Sequence, residues 1–368
     1  MAKICHMTSA HGPEDERIFF KECCSLAAAG HEVYIVVKGN SYDKNGVHIV
    51  GIGDPPGSRM KRMTSFARKV YEKALELDAD IYQFHDPELL PYGLKLKKKG
   101  KKVIFDSHEN TLDQIQEKSW IPNLVRKPMF HCFDWYQKHI CKRLDAIISV
   151  SPHICEYFAA FHSKVAMITN YPVYKELKRD DCADDKSLCF AGGISDQWNH
   201  ATVIQALEKL PEVRYVLLGS GDDAYLEELR SLPAWNRVDF RGRIPHEQVA
   251  QTLCACGIGV SILSYNYNAG LRRGTLGNTK IYEQMMAGLP VICTDFQLWR
   301  EMVDKYQCGI CVEPQNVDDF VRAVQYLLDH PEEARRMGEN GRRAVQEEYN
   351  WGKQEKLLLA LYDDILGS

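Results

Sequence analysis

The 368-residue chain has no run of apolar residues that approaches the roughly 18 to 20 needed for a membrane-spanning helix. Its first residues, MAKICHMTSAHG, also lack the apolar core of a signal peptide. The first absence excludes a protein built from apolar membrane-spanning helices. Together the two lead us to expect a cytoplasmic protein.

Common metal and phosphate motifs are missing as well. The chain has no P-loop, and the CxxC pair at Cys308 and Cys311 has no second pair or nearby His–His set to complete a zinc site. The 13 cysteines are scattered through apolar segments, as reduced core residues are. Asp78-Ala-Asp80 looks like a metal-binding DxD motif, but it ends a helical pattern and precedes a strand. We therefore expect no metal site.

The length of the chain suggests two or three domains, and its 45% apolar and 26% charged residues are typical of a soluble globular protein. The net charge of −4 hides an asymmetry. Residues 1–172 carry 24 Lys and Arg against 20 Asp and Glu, whereas the remainder carries 22 against 30. We expect no nucleic-acid partner.

A basic segment in the first half has two interpretations. Basic residues flank an apolar stripe that recurs at helical spacing through residues 59–74, and six lysines follow within residues 95–102. This pattern fits peripheral contact with anionic lipid headgroups. It fits equally a solvated helix face and a lysine-rich turn.

Short apolar runs alternate with amphipathic stretches in two series. The first has strand candidates at 3–7, 32–37, 81–84, 103–106 and 146–150, and the second has them at 187–191, 213–218, 238–240, 257–260 and 309–312. Strand–helix–strand alternation predicts parallel sheets with right-handed crossovers. We therefore predict an α/β protein with two Rossmann-like, doubly wound domains.

The segment GNTKIYEQMMAGLPVICTD at residues 277–295 has the features of a nucleotide pocket. Gly277, Asn278 and Thr279 begin a predicted helix whose first N–H groups could bind a phosphate. Glu283 lies about one turn further along, where its carboxylate could accept hydrogen bonds from the two hydroxyls of a ribose. The alternative is an ordinary helix with a solvent-facing glutamate.

Polar residues also follow the predicted strands, where ligands bind in parallel sheets. In the first half these are His11, the pair His85-Asp86 and the pair His108-Glu109. A single histidine at a strand end is more often structural than catalytic, but three of them converge on one edge of one sheet. In the second half Gly192-Gly193 follows the first strand, where missing side chains would let a ligand contact the backbone.

These residues resemble the GT-B fold glycosyltransferases, and within them the retaining family-four enzymes of bacterial envelope and capsule polysaccharide synthesis. The resemblance covers nearly the whole chain. Its motifs are HDPELLP at 85–91, FDSHE at 105–109, FAGGIS at 190–195, LLGSGDD at 217–223, FRGRIPHEQV at 240–249, NTKIYEQMMAGLPVICTDF at 278–296 and YNW at 349–351.

The resemblance implies an acceptor-binding domain at 1–172, a linker at 173–186, a nucleotide-sugar-binding domain at 187–350 and a C-terminal helix at 351–368 that returns to the first domain. The two domains would face each other across a cleft. The donor would be a UDP- or GDP-sugar, the acceptor a glycan or a lipid-linked glycan, and no metal or other cofactor would be required. The acceptor-side candidates are His11, His85, Asp86 and Glu109.

The resemblance also implies roles for single residues. His108 matches the histidine that faces the donor sugar beside the anomeric carbon, and Gly12 matches the glycine of the loop near the donor phosphates. Gly242, Arg243 and Ile244 match the loop whose backbone contacts the base. Transfer with retention would follow front-face attack, in which charge builds on the leaving diphosphate.

Two departures from the family pattern concern the donor. The first of two glutamates that the family often has is Thr275 here, so Glu283 lacks its partner. The family's phosphate-binding Arg and Lys fall at about Gly193 and Asn199, so that cationic pair is missing. Our hypothesis is that Arg272, Arg273 and Lys280 bind the diphosphate instead. Lys280 is also a catalytic candidate, together with His108. For the two arginines the alternative is a mobile surface loop.

Two other functions stay open at this level. A nucleotide-sugar epimerase or a phosphorylase could use the same architecture, since fold does not fix the reaction. A non-catalytic protein could have kept the fold while losing the phosphate-binding cations and the first glutamate. Nucleotide binding and donor consumption without an acceptor would separate these functions from sugar transfer.

Overall fold

The computed structural model of the chain describes residues 1–107, 111–117, 122–179 and 183–367. The chain forms two compact units. One comprises Met1–Asn170 with Trp351–Ser368, and the other comprises Tyr171–Asn350. The first strand of the second unit begins at Asp184, inside the stretch predicted as a linker. That stretch is polar because the start of this strand is exposed, and Asp184 there forms an ion pair with Arg214 at 2.6 Å.

The first unit is built on an eight-stranded sheet. Its strands are β1 (Lys3–Met7), β2 (Glu32–Val37), β3 (Tyr42–Lys44), β4 (Val47–Gly51), β5 (Ile81–Phe84), β6 (Lys102–Ser107), β7 (Ala146–Ser149) and β8 (Val165–Met167). Their order in the sheet is β3-β4-β2-β1-β5-β6-β7-β8. The β3–β4 pair is antiparallel, and the other neighbouring pairs are parallel.

The helices of the first unit cover the faces of this sheet. They are α1 (Cys24–Ala28), α2 (Arg59–Lys61), α3 (Ala67–Glu76), α4 (Leu90–Lys98), α5 (Thr111–Glu117), α6 (Asn123–Cys141) and α7 (Pro152–Ala159). A π-helical segment at Ile18–Cys23 precedes α1, and a second at Arg62–Phe66 joins α2 to α3. A 3₁₀ turn at Pro87–Leu89 leads into α4.

The second unit has a six-stranded parallel sheet. Its strands are β9 (Asp184–Ala191), β10 (Arg214–Leu218), β11 (Val238–Gly242), β12 (Cys256–Ser261), β13 (Val291–Thr294) and β14 (Gly309–Val312), in the order β11-β10-β9-β12-β13-β14. Its helices are α8 (His200–Leu207), α9 (Asp223–Arg230), α10 (His246–Cys254), α11 (Thr279–Met286), α12 (Gln297–Tyr306), α13 (Val317–Asp329) and α14 (Pro331–Glu347). Short 3₁₀ turns lie at Asp196–Trp198, Pro233–Arg237 and Leu271–Arg273.

Both sheets have helices on their two faces, so their central strands are buried on both sides. All four residues of β5 and all four of β13 are buried, which explains why these strands are continuous apolar runs with little alternation. The predicted α/β class with two Rossmann-like parallel sheets is confirmed.

The last helix, α15 (Trp351–Gly367), packs on the first unit. Leu358, Leu361 and Ile365 lie in the same apolar core as residues of β1 and β2. The Trp351 indole N–H donates a hydrogen bond of 2.9 Å to Ser25 Oγ. The first unit is therefore formed by two separate stretches of the chain.

The basic helix predicted from the first half of the chain turns its apolar stripe inward. Phe66, Val70 and Tyr71 are buried in the core of the first unit, whereas Met60 is 71% exposed. The basic face, not the apolar stripe, is therefore the part of α3 that solvent or lipid could reach. Among the described residues, no helix combines the length and apolarity that crossing a bilayer requires.

Candidate functional site

A cavity of about 230 Å³ lies at the carboxyl ends of β9, β10 and β11. Four residues predicted to bind the donor line it, namely Gly192, Gly193, Arg243 and Ile244. They come from the loops after β9 and β11, which are separated by about fifty residues in the sequence but lie on either side of β10. The sheet order therefore brings these predicted residues together.

Further lining residues were not among the sequence candidates. They are Ala191, Leu218, Gly219, Ser220 and Val249. All five lie in the family motifs at 190–195, 217–223 and 240–249, but the resemblance gave these residues no individual roles, and the lone GxG at Gly219-Ser-Gly221 is too common to identify a site. The structure shows that the loop after β10 lies beside the loop after β9, which the sequence pattern alone does not show.

The wall of the cavity is largely backbone. A Cβ at Gly219 would lie 1.8 Å from the Gly192 carbonyl oxygen, so only glycine allows these two loops to approach this closely. The Gly219 N–H donates a hydrogen bond of 2.8 Å to the Gly242 carbonyl, and Gly242 has φ of +65°. Gly242, one of the predicted donor-binding residues, therefore supports the cavity wall through its carbonyl oxygen.

Lys280 lies directly beside this wall. A Cβ at Gly192 would be 2.0 Å from Lys280 Cε, which shows how closely the lysine stem packs on the glycine. Its ammonium lies 4.8 Å from the centre of the Trp198 ring, a cation–π contact. Burial lowers the pKa of Lys280, and the nearby Glu283 carboxylate offsets part of that effect. A partly desolvated cation beside a glycine-walled cavity favours an anionic ligand.

The predicted helix begins where expected. Asn278 Oδ1 accepts a hydrogen bond of 3.3 Å from the Lys280 N–H at the start of α11. The Gly277 N–H donates to Thr275 Oγ1 at 3.1 Å, and the Trp299 indole donates to the Thr275 carbonyl at 2.7 Å. Thr275 therefore holds the loop before the helix. Glu283 is partly exposed on α11, whereas its two sequence neighbours are buried.

The two arginines of the hypothesis lie in the 3₁₀ turn at Leu271–Arg273, between two glycines with positive φ. The Arg272 guanidinium stacks 4.5 Å from the centre of the Tyr265 ring and lies 3.6 Å from Glu313. Its side chain is 72% exposed. Arg272 is thus held at the surface by protein groups, and Arg273 beside it is partly buried.

Asn199 lies where the family has a phosphate-binding cation, and its contacts are structural. It is buried with φ of +46°, and its side-chain amide donates to the Ile262 carbonyl at 3.3 Å and to Ser264 Oγ at 3.0 Å. Asn199 therefore anchors the loop after β12.

His200 is a buried neutral group next to this site. Its Nδ1 lies 2.9 Å from the Tyr215 hydroxyl, and burial lowers its pKa to about 3, with the Lys280 charge acting in the same direction. Because the unfolded pKa is near 6.5, the unfolded chain binds this proton first as the pH falls. Stability contributed by neutral His200 is therefore complete above about pH 6.5 and decreases below it.

We expect His200→Gln to flatten this pH dependence. In urea unfolding, the free energy of unfolding should fall by about 1 kcal/mol more in the wild-type protein than in the variant between pH 7.5 and pH 5.5. Other histidines contribute equally to both proteins, so the difference between the two pH slopes isolates His200. Parallel slopes would contradict a neutral buried His200.

In the first unit, two of the acceptor-side candidates lie together. Asp86 is buried, and its Oδ2 accepts hydrogen bonds from Thr8 Oγ1 at 2.8 Å and from the Ser9 N–H at 2.6 Å. Its Oδ1 lies 3.5 Å from His11 Nε2. Gly12 follows in the same loop, and a Cβ there would meet nothing within 4 Å. Asp86 therefore shapes the loop after β1 that carries His11 and Gly12.

His85 differs from the prediction, because its side chain is buried and its Nδ1 lies 3.0 Å from Asp106 Oδ2. It therefore faces the core and not an acceptor. His108 and Glu109 lie outside the described residues, so their roles stay predictions.

Beneath this loop lies a buried ion-pair network, of which only Asp106 belongs to one of the sequence motifs, FDSHE at 105–109. The Arg17 guanidinium donates two hydrogen bonds to the Asp106 carboxylate, at 2.9 and 3.0 Å, and a third to the Ile168 carbonyl at 2.9 Å. Glu22 Oε1 lies 3.0 Å from the same guanidinium. One cation thus serves two buried carboxylates.

Comparison with known proteins agrees with this architecture. The family model described as Glycosyltransferase Family 4 matches residues 16–170, and the model described as Glycosyl transferases group 1 matches residues 177–344. A relative, the MMP alpha-(1->4)-mannosyltransferase of Mycolicibacterium hassiacum, is 33% identical over 82 residues. That match covers 22% of this chain and only 20% of the relative.

Solved structures match over nearly the whole length. Sucrose-phosphate synthase from Thermosynechococcus elongatus has a TM-score of 0.81 at 18% identity, with 100% of both chains covered. HepE of Anabaena, solved in complex with UDP and glucose, has a TM-score of 0.75 at 13% identity, with 99% of this chain and 100% of that chain covered. At these identities the likeness shows the fold.

Two parallel Rossmann-like sheets, with a glycine-walled cavity at the strand ends of the second, define a GT-B type α/β protein. Each family model matches most of one unit, Glycosyltransferase Family 4 in the first and Glycosyl transferases group 1 in the second, and the chain has the GT-B fold.

Proposed function

We propose that the protein transfers a sugar from a nucleotide-sugar donor, a UDP- or GDP-sugar, to a glycan or lipid-linked acceptor in cell-envelope polysaccharide synthesis. The observation that carries the proposal is the cavity at the ends of β9, β10 and β11, with the Lys280 side chain packed against its Gly192 wall. Ligands of parallel α/β sheets bind at this edge.

The relatives support the kind of donor. HepE has the same fold and was solved with UDP and glucose, and the relative from Mycolicibacterium hassiacum is named as a mannosyltransferase. A nucleotide-sugar carries a doubly charged pyrophosphate, which needs cations and N–H donors once it leaves water.

In the proposed complex the diphosphate lies against the Gly192 and Gly193 backbone, near Lys280 and the first turn of α11. Glu283 accepts hydrogen bonds from the ribose, and the loop at 242–244 contacts the base. The Lys280 ammonium stabilises the charge that develops on the leaving diphosphate. We propose front-face attack with retention, in which the leaving diphosphate accepts the acceptor proton.

The test is a transfer assay with a panel of UDP- and GDP-hexoses and with glycan and lipid-linked acceptors. We expect acceptor-dependent release of UDP or GDP, with and without EDTA, and a product that keeps the anomeric configuration of the donor by NMR. Inversion would contradict retention. Donor consumption without an acceptor would favour an epimerase or a phosphorylase, and absence of both binding and turnover would favour a non-catalytic protein.

Gly193→Ala tests the position of the donor. A Cβ at Gly193 would meet no protein atom within 4 Å, so we expect an unfolding free energy within about 0.5 kcal/mol of the wild type. The added methyl group would occupy the cavity, and the affinity for the preferred nucleoside diphosphate should fall about tenfold or more. Titration calorimetry and urea unfolding measure the two effects. Unchanged affinity would place the diphosphate elsewhere.

We also propose peripheral contact of the first unit with the inner face of the cytoplasmic membrane. Exposed apolar side chains stand beside cations there: Met60 is 71% exposed next to Arg59 and Lys61, and Leu124 is 89% exposed on α6. Cosedimentation with vesicles containing anionic lipid should exceed that with neutral vesicles and should weaken with salt. Equal recovery with both vesicle types would contradict the proposal.

A further inference from the structure

Three potential metal ligands meet in the core of the first unit. His6 lies on β1, Glu22 on the π-helical segment Ile18–Cys23, and His85 directly after β5, and their side chains are fully buried. His6 Nδ1 and His85 Nε2 are 3.0 Å apart, and Glu22 Oε2 lies 3.9 Å from the first and 4.0 Å from the second. Two imidazole nitrogens, which lie within hydrogen-bonding distance of each other, and one carboxylate oxygen therefore surround a common centre.

The size of this triangle matches a metal ion. Three atoms separated by 3.0, 3.9 and 4.0 Å lie on a circle whose radius is about 2.1 Å. An ion at its centre would be about 2.1 Å from each atom, and zinc binds His nitrogen at about 2.0–2.1 Å and carboxylate oxygen at about 2.0–2.2 Å. No rotamer change is needed to reach these distances.

The other polar atoms of these side chains already have neighbours in the protein. His85 Nδ1 lies 3.0 Å from the Asp106 carboxylate, and His6 Nε2 lies 3.4 Å from the Tyr362 hydroxyl. Each ring can donate its N–H outward and direct the lone pair of its other nitrogen toward the centre. A carboxylate behind a metal-bound histidine is the usual outer partner, because it fixes the tautomer and raises the ligand's basicity.

The charges around the centre also suit a cation. Arg17 is shared by the Asp106 and Glu22 carboxylates, and Gln83 Nε2 donates to Glu22 Oε2 at 2.7 Å. A divalent ion would compensate this carboxylate, which otherwise is costly to bury as an anion.

We propose that His6, Glu22 and His85 bind one divalent transition-metal ion, and that the ion is zinc. The donor set of two imidazoles and one carboxylate suits zinc. The ion ties β1 and β5 to the segment before α1, and thereby supports the loops that carry His11 and Asp86. It is not part of the sugar-transfer chemistry, so this proposal is independent of the proposed function.

The test is the metal content of the full-length protein expressed in zinc-supplemented medium and purified without a metal-affinity column. We expect about one zinc per chain by mass spectrometry, and visible d–d absorption when cobalt replaces zinc in the medium. Glu22→Gln and His85→Gln should reduce the metal content to near zero. Release of the ion by a chelator in mild urea should lower the melting temperature of the wild type but not that of a folded variant.

His48→Ala is the matched control, because His48 is 45% exposed and pairs with Asp43 at the surface. It should keep the full metal content. His6→Gln provides a third core variant if one of the others does not fold. A wild-type protein with essentially no zinc after supplementation would overturn the proposal. So would a metal content that survives in Glu22→Gln and His85→Gln, since the ion would then be bound elsewhere.

Discussion

Lys280→Ala should lower kcat/KM for sugar transfer by about 10²- to 10³-fold, the loss typical of removing one group that stabilises charge in the transition state. The lysine stem packs against Gly192, which lines the cavity, and in the proposed complex its ammonium lies near the leaving diphosphate. Steady-state kinetics with the best donor and acceptor measure the effect.

The folded state should tolerate this change. Burial lowers the pKa of Lys280, which means that the charged ammonium is less stable in the folded protein than in water. Its removal should therefore leave the melting temperature within a few degrees of the wild type, because the lost contact with Trp198 is worth about 0.5–1 kcal/mol. Activity and stability should separate in this variant, as they do where a site is strained for function.

Two further variants complete the test. Lys209→Ala removes an exposed lysine of the same unit, paired with Asp318, and should leave the kinetics unchanged. Gly192→Ala should reproduce much of the loss, since its Cβ would displace the Lys280 side chain. Near-normal kcat/KM in both Lys280→Ala and Gly192→Ala would show that Lys280 does not take part in catalysis.

Arg17→Leu should lower the free energy of unfolding by about 3–5 kcal/mol. Arg17 is 4% exposed, and its guanidinium makes two hydrogen bonds to Asp106 and lies 3.0 Å from Glu22. Its removal leaves two carboxylates in the core without their cation, and that cost exceeds the value of the ion pair itself. Urea unfolding followed by circular dichroism measures the change.

The double variant Arg17→Leu with Asp106→Asn should recover part of this loss, because it removes one uncompensated charge. Arg68→Ala is the control: Arg68 pairs with Glu72 on the surface of α3, and its side chain is 69% exposed. That variant should change stability by about 0.5 kcal/mol or less. An Arg17→Leu protein as stable as the control would show that the network is not formed.

Much of the fold can be predicted from the sequence because buried parallel strands are short apolar runs between amphipathic helices. β1, β2, β5 and β14 begin and end at the predicted residues. The β3–β4 hairpin lies outside that alternation, since β3 has only 3 residues and is mostly exposed. Asn45-Gly46 between them, with positive φ at both residues, is the turn signal.

The candidate site can be predicted in part from the sequence. Gly192 and Gly193 could be predicted because they follow a strand, and ligands of a parallel sheet bind at that edge. Arg243 and Ile244 were predicted from the family resemblance alone. The cluster of His6, Glu22 and His85 could not be predicted, because it depends on register. His6 aligns with Gln83 on β5, which brings His85 within reach of a residue 79 positions earlier in the chain. The spacing of residues in the sequence does not predict how the two strands align.

The burial of His85 shows the same limit. A histidine after a strand can face the ligand edge or turn back into the core, and its Asp106 partner decides the direction. Asp106 itself belongs to the FDSHE motif, whose last two residues, His108 and Glu109, were predicted to face the donor and the acceptor. A motif can therefore combine core and site residues, and the sequence does not separate them.

Calorimetric titration of UDP and GDP into the wild-type protein, Lys280→Ala and Lys209→Ala tests the central claim most directly. We expect one of the two nucleotides to bind the wild type and Lys209→Ala with the same affinity. We expect the same nucleotide to bind Lys280→Ala at least tenfold more weakly. Failure of both nucleotides to bind the wild type, or equal affinity in all three proteins, would contradict a donor site built on Gly192, Gly193 and Lys280.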